Sequence, residues 1–376
     1  MKILHVYKNY FPTQGGIENH VRLLCRELVG TGEFEVNVLV ASTGRATTRE
    51  VLDGVTVVRA GQQLTLARTP MSLRLWWEVA RSKADITHLH FPYPMGELAH
   101  LLFGRSPGMV MTYHSDIVSQ KRLLRLYEPM LQRVLARADR LIATSPNYVR
   151  SSRFLSKHAE KCVVIPLGVD IERFENVDSR LVEEIRRVHS GPLLLFVGLF
   201  RYYKGLQHLI KVMPRIPARL LLVGGGPQEE DLKRLVIELG LQDKVVFAGE
   251  VGDEVLPAYY HACDVFVLPA THRSEAFGTV LVEAMACGKP VVCTDVGTGT
   301  TWVNLHGETG LVVAPANSDA LVDAITDLLA DHELRARMGR AARARAEREL
   351  SKEMMVERTA EVYREVHRCS RRTSAP

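Results

Sequence analysis

Short apolar runs rich in Val, Ile and Leu alternate with helix-length amphipathic segments along the whole chain. This alternation is typical of α/β domains with parallel sheets, because each parallel connection needs a crossover of helical length. Strands are predicted at 2–7, 35–41, 55–60, 85–90, 108–113, 140–144, 162–165, 193–198, 219–223, 244–248, 264–268, 290–293 and 311–313. Helices are predicted at 16–30, 72–82, 94–103, 120–138, 146–156, 204–213, 228–239, 278–287 and 318–330, with two more within 331–368.

The periodic pattern lapses near residues 166–170, and a polar stretch without a predicted element follows as far as Gly191. At roughly 150 residues per domain, a chain of 376 residues favours two domains. We predict an N-terminal domain at 1–169 and a second domain at 170–351, with a C-terminal helix at about 352–368 packing back onto the first. Two Rossmann-like domains with parallel sheets facing across a cleft would bind ligands at the carboxyl ends of their strands.

Composition narrows the class of protein. No apolar run approaches the ~20 residues of a membrane helix, and the N-terminus begins as a strand without signal-peptide features. The six cysteines include no C-x-x-C pair and lie mostly among apolar residues, so we interpret them as reduced core residues of a cytoplasmic protein. A net charge of +5 fits an anionic substrate or an acidic membrane surface and is too small to favour nucleic acid.

Two glutamates stand eight positions apart, one before and one inside a short predicted helix. Glu275 precedes the helix and Glu283 lies about one turn within it. Between them, the backbone N–H groups of Phe277, Gly278 and Thr279 form an anion site at the helix N-terminus. A carboxylate for sugar hydroxyls, amides for a diphosphate and a carboxylate for a ribose diol together indicate a nucleotide-sugar pocket. Taken alone, the glutamates fit equally well as partners of the helix dipole.

Two motifs follow strands of the first domain. The pair Gly15-Gly16 lets the backbone approach a phosphate or acceptor closely, although such pairs also occur in simple tight turns. His114 ends the strand at 108–113, where α/β enzymes keep functional groups. His88 and His90 share one strand face and would bind a metal only with a third ligand, so we interpret them as residues of the cleft rim and disfavour zinc.

A turn after the first strand of the second domain carries Arg201 and Lys204. These cations could neutralise a diphosphate, the alternative being solvated surface charge. A second glycine turn at 224–226 contains Gly225 and departs from the dinucleotide fingerprint G-x-G-x-x-G.

Taken together, the motifs resemble those of the retaining family-4 glycosyltransferases (glycosyl transferases group 1), which have the GT-B fold. The resemblance rests on the Glu-x7-Glu run at 275–283, the Gly-Pro turn at 224–227, the linker at 165–174 and the segment at 307–312. It covers nearly the whole chain, with the motifs in the family's order.

The resemblance implies that His114 and Glu275 are catalytic residues facing the donor sugar, and that Glu283 binds the ribose. It implies that the donor is also bound by Gly16, Arg201, Lys204, Gly225, Val251, Phe277, Gly278, Thr279 and Val280. It implies that Gly15, Gly16 and His90 lie on the acceptor side. Many family members carry an arginine immediately after the first glycine of the cationic turn, where this chain has Leu199. Arg201 must therefore reach the donor from two positions later.

The implied reaction is retaining transfer of a hexose from a nucleotide-diphosphate sugar to a glycan or lipid-linked acceptor, in the synthesis of cell-surface polysaccharide or glycolipid. The segment 294–301 is similar to a subset of the family that includes bacterial GDP-mannose transferases, which favours mannose or a related sugar. The chain contains no D-x-D triplet, so we expect no metal and no other cofactor.

Three other interpretations remain. A GT-B sugar-nucleotide epimerase would use the same donor site and turn over without an acceptor. An NAD-dependent oxidoreductase is disfavoured because neither domain carries the dinucleotide fingerprint. A non-catalytic partner subunit is disfavoured by the intact set of donor-site residues.

The segment 121–140 contains six basic and two acidic residues. On the helical period it also shows an apolar stripe, formed by Leu123, Leu124, Tyr127, Leu131, Val134 and Leu135. Basic residues beside an apolar stripe are typical of interfacial helices, which predicts attachment to an anionic membrane surface. A helix that turns this stripe to the core and its basic face to solvent fits equally well.

Overall fold

The computed structural model describes residues 1–13, 15–66, 69–117 and 121–373. It divides into two compact units. Unit 1 comprises Met1–Gly168 and Lys352–Pro376, and unit 2 comprises Val169–Ser351. The predicted boundary lay between residues 169 and 170, with the chain returning to its first domain at about residue 352.

Unit 1 contains ten strands and six helices within the described residues. The strands are β1 (Lys2–Val6), β2 (Glu35–Ala41), β3 (Thr48–Leu52), β4 (Val55–Ala60), β5 (Leu64–Leu66), β6 (Thr69–Met71), β7 (Ile86–Phe91), β8 (Gly108–Tyr113), β9 (Arg140–Ala143) and β10 (Cys162–Val164). The helices are α1 (Gly16–Gly30), α2 (Leu73–Arg81), α3 (Pro94–Phe103), α4 (Lys121–Arg137), α5 (Pro146–Ser151) and the C-terminal α14 (Lys352–Thr373). Eight strands form one sheet in the order β10-β9-β8-β7-β1-β2-β4-β3, in which β3 runs antiparallel to β4 and the other neighbours are parallel.

Unit 2 has a six-stranded sheet in the order β13-β12-β11-β14-β15-β16, with parallel neighbours throughout. The strands are β11 (Leu193–Val197), β12 (Arg219–Val223), β13 (Val245–Gly249), β14 (Val265–Leu268), β15 (Val291–Thr294) and β16 (Gly310–Val313). The helices are α6 (Ser179–Val188), α7 (Leu206–Val212), α8 (Glu229–Glu238), α9 (Leu256–Ala262), α10 (Thr279–Ala286), α11 (Thr300–Val303), α12 (Ser318–Ala330) and α13 (His332–Glu349). The predicted α/β class with two parallel-sheet domains is confirmed.

The central strands explain where a site belongs. Every residue of β7, β8 and β11 is buried, as expected of strands whose two faces are both covered by helices. The strand order reverses between β1 and β7 in unit 1, and between β11 and β14 in unit 2. Parallel sheets bind ligands at the carboxyl ends of the strands beside such a reversal.

The stretch that was predicted to be a polar linker contains helix α6. Its N-terminus is capped by Asp178, whose carboxylate accepts a hydrogen bond from the backbone N–H of Arg180 at 2.9 Å. Arg186 holds the helix to Asp264 through two hydrogen bonds of 3.1 Å. No residue of α6 is fully buried, although Leu181, Val182 and Ile185 recur at helical spacing and lie half-buried on one face. Short elements β3, β5, β6, α9 and α11 were also not predicted.

Helix α4 does not present the predicted stripe to a membrane. Leu131, Val134 and Leu135 are buried in the core of unit 1, and Leu124 is nearly so. The interfacial interpretation of this stripe is therefore wrong, because burial in the core of unit 1 accounts for it. The side chains of residues 121–123 lie outside the described residues. Across the described parts of the chain, no helix combines the length and apolarity needed to span a bilayer.

Candidate functional site

A glycine turn in unit 2 brings together the residues that follow β11 and β14. Gly205 adopts a φ of +72°, and a Cβ atom at this position would lie 2.0 Å from the carbonyl oxygen of Pro269. Only glycine permits this approach. The backbone N–H of Thr271 donates to the carbonyl of Tyr203 at 2.8 Å, which holds the two strand ends together. As a result, Lys204 is directed toward the segment that carries Glu275.

Lys204 and Glu275 form a buried ion pair. The Nζ atom lies 2.5 Å from Oε2, and the two residues are 9% and 7% exposed. Burial opposes the charged form of Lys204, but the adjacent Glu275 outweighs it and raises the pKa of the lysine. A buried pair of this kind holds its geometry firmly, because separating the charges leaves each one without compensation.

Glu283 projects from α10 and accepts a hydrogen bond through Oε2 from the hydroxyl of Tyr260 at 2.6 Å. Burial raises the pKa of Glu283, although the bond from Tyr260 acts in the opposite direction. Its second oxygen, Oε1, has no hydrogen-bond partner within the described residues. This oxygen can accept from a ligand hydroxyl.

The N-terminus of α10 is an anion site in its geometry. Gly278 caps the helix with a φ of +81°, and its carbonyl accepts from the N–H of Leu281 at 2.8 Å. The backbone N–H groups of Phe277, Gly278, Thr279 and Val280 have no acceptor in the portions of the chain that the structure describes. Four unsatisfied donors at a helix N-terminus favour a phosphate or another anion.

The loop between β15 and α11 is hydrogen-bonded to the backbone that precedes α10. The hydroxyl of Thr298 donates to the carbonyl of Glu275 at 2.6 Å, and the N–H of Gly299 donates to the carbonyl of Ala276 at 2.8 Å. The segment 294–301 therefore fixes the backbone on which Glu275 and the amides depend. The sequence of this loop indicated a type of donor, but it did not predict the hydrogen bonds from Thr298 and Gly299.

Three predicted donor-binding residues lie at the ends of neighbouring strands without joining the Lys204–Glu275 pair. Arg201 is exposed, and its guanidinium has no partner among the described residues. Gly225 follows β12, where its carbonyl accepts from the N–H of Phe200 at 2.8 Å. Val251 is half-buried just beyond β13.

In unit 1, the two glycines at the start of α1 differ in their surroundings. A Cβ on Gly15 would lie 2.3 Å from Oε2 of Glu18, the end of a flexible side chain that can move aside. A Cβ on exposed Gly16 would meet no atom of the described residues within 4 Å. Internal packing gives no reason for glycine at residue 16, which is consistent with the close approach of a ligand.

The histidines of unit 1 form a buried cluster and not a rim. His88 and His90 are fully buried, and His114 is 3% exposed. The rim interpretation is wrong because β7 lies between β1 and β8 and is covered on both faces. Two further members were missed: His5, which pairs with His88 across β1 and β7, and His20 of α1.

Burial sets the protonation of this cluster. It lowers the pKa of His5 to about 3 and that of His20 to about 4, and it lowers the pKa values of His88, His90 and His114 well below their ordinary value. All five imidazoles are therefore neutral at physiological pH. Each carries one N–H donor and one bare nitrogen that accepts.

The cluster also supplies the third ligand that sequence reasoning lacked for a metal. Two sets of three imidazoles have ligating nitrogens within 4.8 Å of one another: His5, His88 and His90, and His20, His90 and His114. Several of these nitrogens are already paired by hydrogen bonds, such as Nδ1 of His5 with Nε2 of His90 at 2.9 Å. The arrangement suits a hydrogen-bonded chain of neutral rings as it stands.

Comparison with known proteins agrees with the fold and the motifs. The profile of Glycosyltransferase Family 4 matches residues 14–173, and that of Glycosyl transferases group 1 matches residues 179–345. The chain is 37% identical over 366 residues to O-antigen chain mannosyltransferase C of Escherichia coli, covering 96% of this chain and 98% of that protein. It is 38% identical over 348 residues to the D-rhamnosyltransferase WbpZ of Pseudomonas aeruginosa, covering 92% and 91%.

Solved structures show the same architecture. Sucrose-phosphate synthase of Thermosynechococcus elongatus superposes with a TM-score of 0.82 at 26% identity, covering 98% of this chain and 99% of that one. The Anabaena protein Alr3699/HepE in complex with UDP-glucose superposes with a TM-score of 0.78 at 23% identity, covering 97% and 100%. This chain belongs to the group 1, family 4 glycosyltransferases, and is a hexosyltransferase of the GT-B fold.

Proposed function

We propose that this enzyme transfers mannose or a closely related hexose from a GDP-sugar to a glycan or lipid-linked acceptor in cell-surface polysaccharide synthesis. We further propose that it retains the anomeric configuration and requires no divalent metal. The observation that carries the proposal is the site in unit 2, where the buried Lys204–Glu275 pair, the N-terminus of α10 and Glu283 occur together.

In this proposal, three groups of the site bind the three parts of the donor. The ribose diol donates to the open oxygen of Glu283. The diphosphate accepts from the amides of residues 277–280 and from exposed Arg201, so that charge developing on the leaving group is stabilised in place. The hexose hydroxyls donate to Glu275, whose orientation is fixed by Lys204 at 2.5 Å.

Retention of configuration follows from attack on the face that the leaving diphosphate vacates. In this scheme a phosphate oxygen takes the proton of the acceptor hydroxyl as the new glycosidic bond forms and the bond to the diphosphate breaks. No protein carboxylate needs to form a bond to the sugar. The pairing of Glu275 with a lysine fits this assignment, because a carboxylate held by a buried cation is a weak nucleophile.

We expect transfer to continue in excess EDTA. Exposed Arg201 and the amides of α10 provide the positive charge that a metal supplies in other transferases, while Lys204 stays paired with Glu275. The measurement is the initial transfer rate with EDTA, and then with added Mg²⁺ or Mn²⁺. Activity that chelation abolishes and either metal restores would contradict the proposal.

The donor is proposed from two similarities. The segment 294–301 resembles GDP-mannose transferases, and the E. coli relative is a mannosyltransferase by name. A thermal-shift screen of GDP, UDP and ADP with their sugars tests this choice, since a ligand at ~100 times its Kd stabilises by ~2.7 kcal/mol. Stabilisation by UDP without stabilisation by GDP would reverse it. Turnover of the donor without any acceptor would favour the epimerase alternative.

We also propose that the enzyme works in the cytoplasm at the inner face of the plasma membrane. Five cysteines (Cys25, Cys162, Cys263, Cys287 and Cys293) form no disulfide, which fits a reducing compartment. Arg125, Arg133 and Arg137 are exposed on α4, beside a Leu126 that is 85% exposed. Basic residues contribute about 1 kcal/mol each near an acidic surface. Co-sedimentation with anionic liposomes at low and high salt tests attachment, and absence of binding at low salt would refute it.

A further inference from the structure

Four elements of unit 1 are joined by one continuous chain of hydrogen-bonded side chains. The chain contains a threonine of β8, a tyrosine of α14 and histidines of β1, β7 and the end of β8. It runs Thr112 Oγ1–His88 Nε2 (2.7 Å), His88 Nδ1–Tyr363 Oη (2.5 Å), Tyr363 Oη–His5 Nε2 (3.3 Å), His5 Nδ1–His90 Nε2 (2.9 Å) and His90 Nδ1–His114 Nε2 (3.0 Å). It ends at Nδ1 of His114, a buried atom with no partner within the described residues.

Neutral imidazoles make this chain directional. Each ring donates through one nitrogen and accepts through the other, so the direction of one hydrogen bond fixes the direction of the next. The protons of His5, His90 and His114 are therefore arranged in one of two ways. Either each ring carries its proton on Nδ1, so that His5 donates to His90, His90 donates to His114, and His114 keeps an Nδ1–H. Or each ring carries its proton on Nε2, the bonds run in the opposite direction, and Nδ1 of His114 is bare.

Counting hydroxyl protons decides between the two directions. If the chain runs from Thr112 toward His114, both hydroxyl protons have acceptors, and the one unsatisfied group is the Nδ1–H of His114. If it runs the other way, Thr112 accepts from His88, and its own proton has no acceptor among the described residues. The bare Nδ1 of His114 is then a second unsatisfied group. When Tyr363 accepts from both neighbours, its own proton has no acceptor, and the count is again two.

We infer that Tyr363, His5 and His90 are positioning residues that hold His114 as its Nδ1–H tautomer, which makes His114 a hydrogen-bond donor to substrate and not a general base. The tautomer rests on the chain itself. Its use toward the transferred sugar rests on the proposed function. The C-terminal helix α14 therefore contributes to the site, because the hydroxyl of Tyr363 sets the direction of the hydrogen bonds between His5, His90 and His114.

The tautomer can be measured without substrate. Long-range ¹H–¹⁵N spectra of protein labelled in histidine distinguish protonated from bare ring nitrogens, and the signals of His114 are assigned by their loss in His114→Asn. We expect one dominant species with Nδ1 of His114 protonated. A bare Nδ1, or an even mixture of tautomers in the wild type, would overturn the inference.

Tyr363→Phe tests the chain. Without the hydroxyl, the two directions leave equal numbers of unsatisfied groups, so the Nδ1–H population of His114 should fall toward one half although Tyr363 touches neither His90 nor His114. Tyr10→Phe is the matched control, since Tyr10 is also buried in unit 1 and its hydroxyl has no partner within the described residues. An unchanged His114 spectrum in folded Tyr363→Phe would refute the coupling, as would an equal change in Tyr10→Phe.

The role of the donor is tested separately by isosteric replacement. The amide nitrogen of an asparagine occupies nearly the position of imidazole Nδ1 and donates, whereas leucine of similar shape cannot donate. His114→Asn should therefore retain clearly more transfer activity than His114→Leu. Equal activity of the two variants, with the predicted tautomer observed in the wild type, would leave the chain intact and refute the assignment of His114 to the sugar.

Discussion

We predict that mild acid lowers the free energy of unfolding of unit 1 strongly, because this unit buries several neutral histidines. Six histidines of this unit have pKa values lowered by burial: the five members of the cluster and His100, which burial and the nearby Arg137 lower to about 4. The perturbation is a change from pH 7.5 to pH 5.5. Over this range the unfolded chain protonates its histidines near pH 6.5, while the folded chain keeps these six neutral.

The sign follows from proton linkage. Where the unfolded state binds more protons than the folded state, stability falls as pH falls. Each lowered histidine costs about 1.4 kcal/mol between pH 7.5 and 5.5, which is about 8 kcal/mol for six. Burial raises the pKa of Glu97 to about 8, so this carboxyl gains a proton in the folded state and offsets about 2.5 kcal/mol. A net loss of about 6 kcal/mol is comparable to the whole stability of many domains.

Tryptophan fluorescence can follow unit 1 selectively. Of the three tryptophans, Trp76 and Trp77 belong to unit 1, so a Trp302→Phe background leaves only reporters of that unit. Urea unfolding at pH 7.5, 6.5 and 5.5 should show a midpoint that falls by about 3 M in total, for an m-value of about 2 kcal/mol/M.

His20→Leu provides the matched variant. Neither ring nitrogen of His20 has a hydrogen-bond partner within the described residues, so an apolar side chain loses little at pH 7.5. The variant should lose about 1.4 kcal/mol of the pH dependence. Midpoints that agree at pH 7.5 and 5.5, or a pH dependence that His20→Leu leaves unaltered, would refute the reasoning.

Three substitutions in the two units test individual residues of the site. Lys204→Met leaves Glu275 as a buried unpaired charge and should destabilise unit 2 by about 3 kcal/mol in urea unfolding. Adding Glu275→Gln should recover part of this loss, and a double variant less stable than Lys204→Met would contradict the prediction. Gly205→Ala should cost at least about 2 kcal/mol through its positive φ and its clash with Pro269, measured in the same way, and wild-type stability would contradict it. Gly16→Ala should keep the wild-type melting temperature and lower the transfer rate; a lowered melting temperature, or unchanged transfer, would show that the residue serves packing or nothing at all.

The sequence predicted elements whose pattern is strong and local. The fully buried strands β7, β8 and β11 and the glycine-ended helix α10 were predicted within about two residues of their observed bounds. Helix α6 was missed because the charged residues of this stretch favoured a polar linker, although Leu181, Val182 and Ile185 recur at helical spacing.

The site was less accessible to sequence reasoning because it depends on strand order. Lys204 and Glu275 were predicted separately for the diphosphate and the sugar, and their ion pair arises because β11 and β14 are neighbours across the point of reversal. His5 gave no signal of its own. It joins His88 only because β1 lies beside β7 with those two residues in register, a pairing that no local pattern specifies.

In the proposed mechanism, Glu275 acts on the sugar while other groups of unit 2 hold the nucleotide. The most direct measurement compares Glu275→Gln with the wild type in EDTA, using calorimetry for GDP binding and NMR of the anomeric carbon for transfer from GDP-mannose. We expect the variant to bind GDP as tightly as the wild type does and to transfer at least about 100-fold more slowly. The wild-type product should keep the anomeric configuration of the donor. Wild-type transfer by Glu275→Gln, or an inverted product from the wild type, would contradict this mechanism.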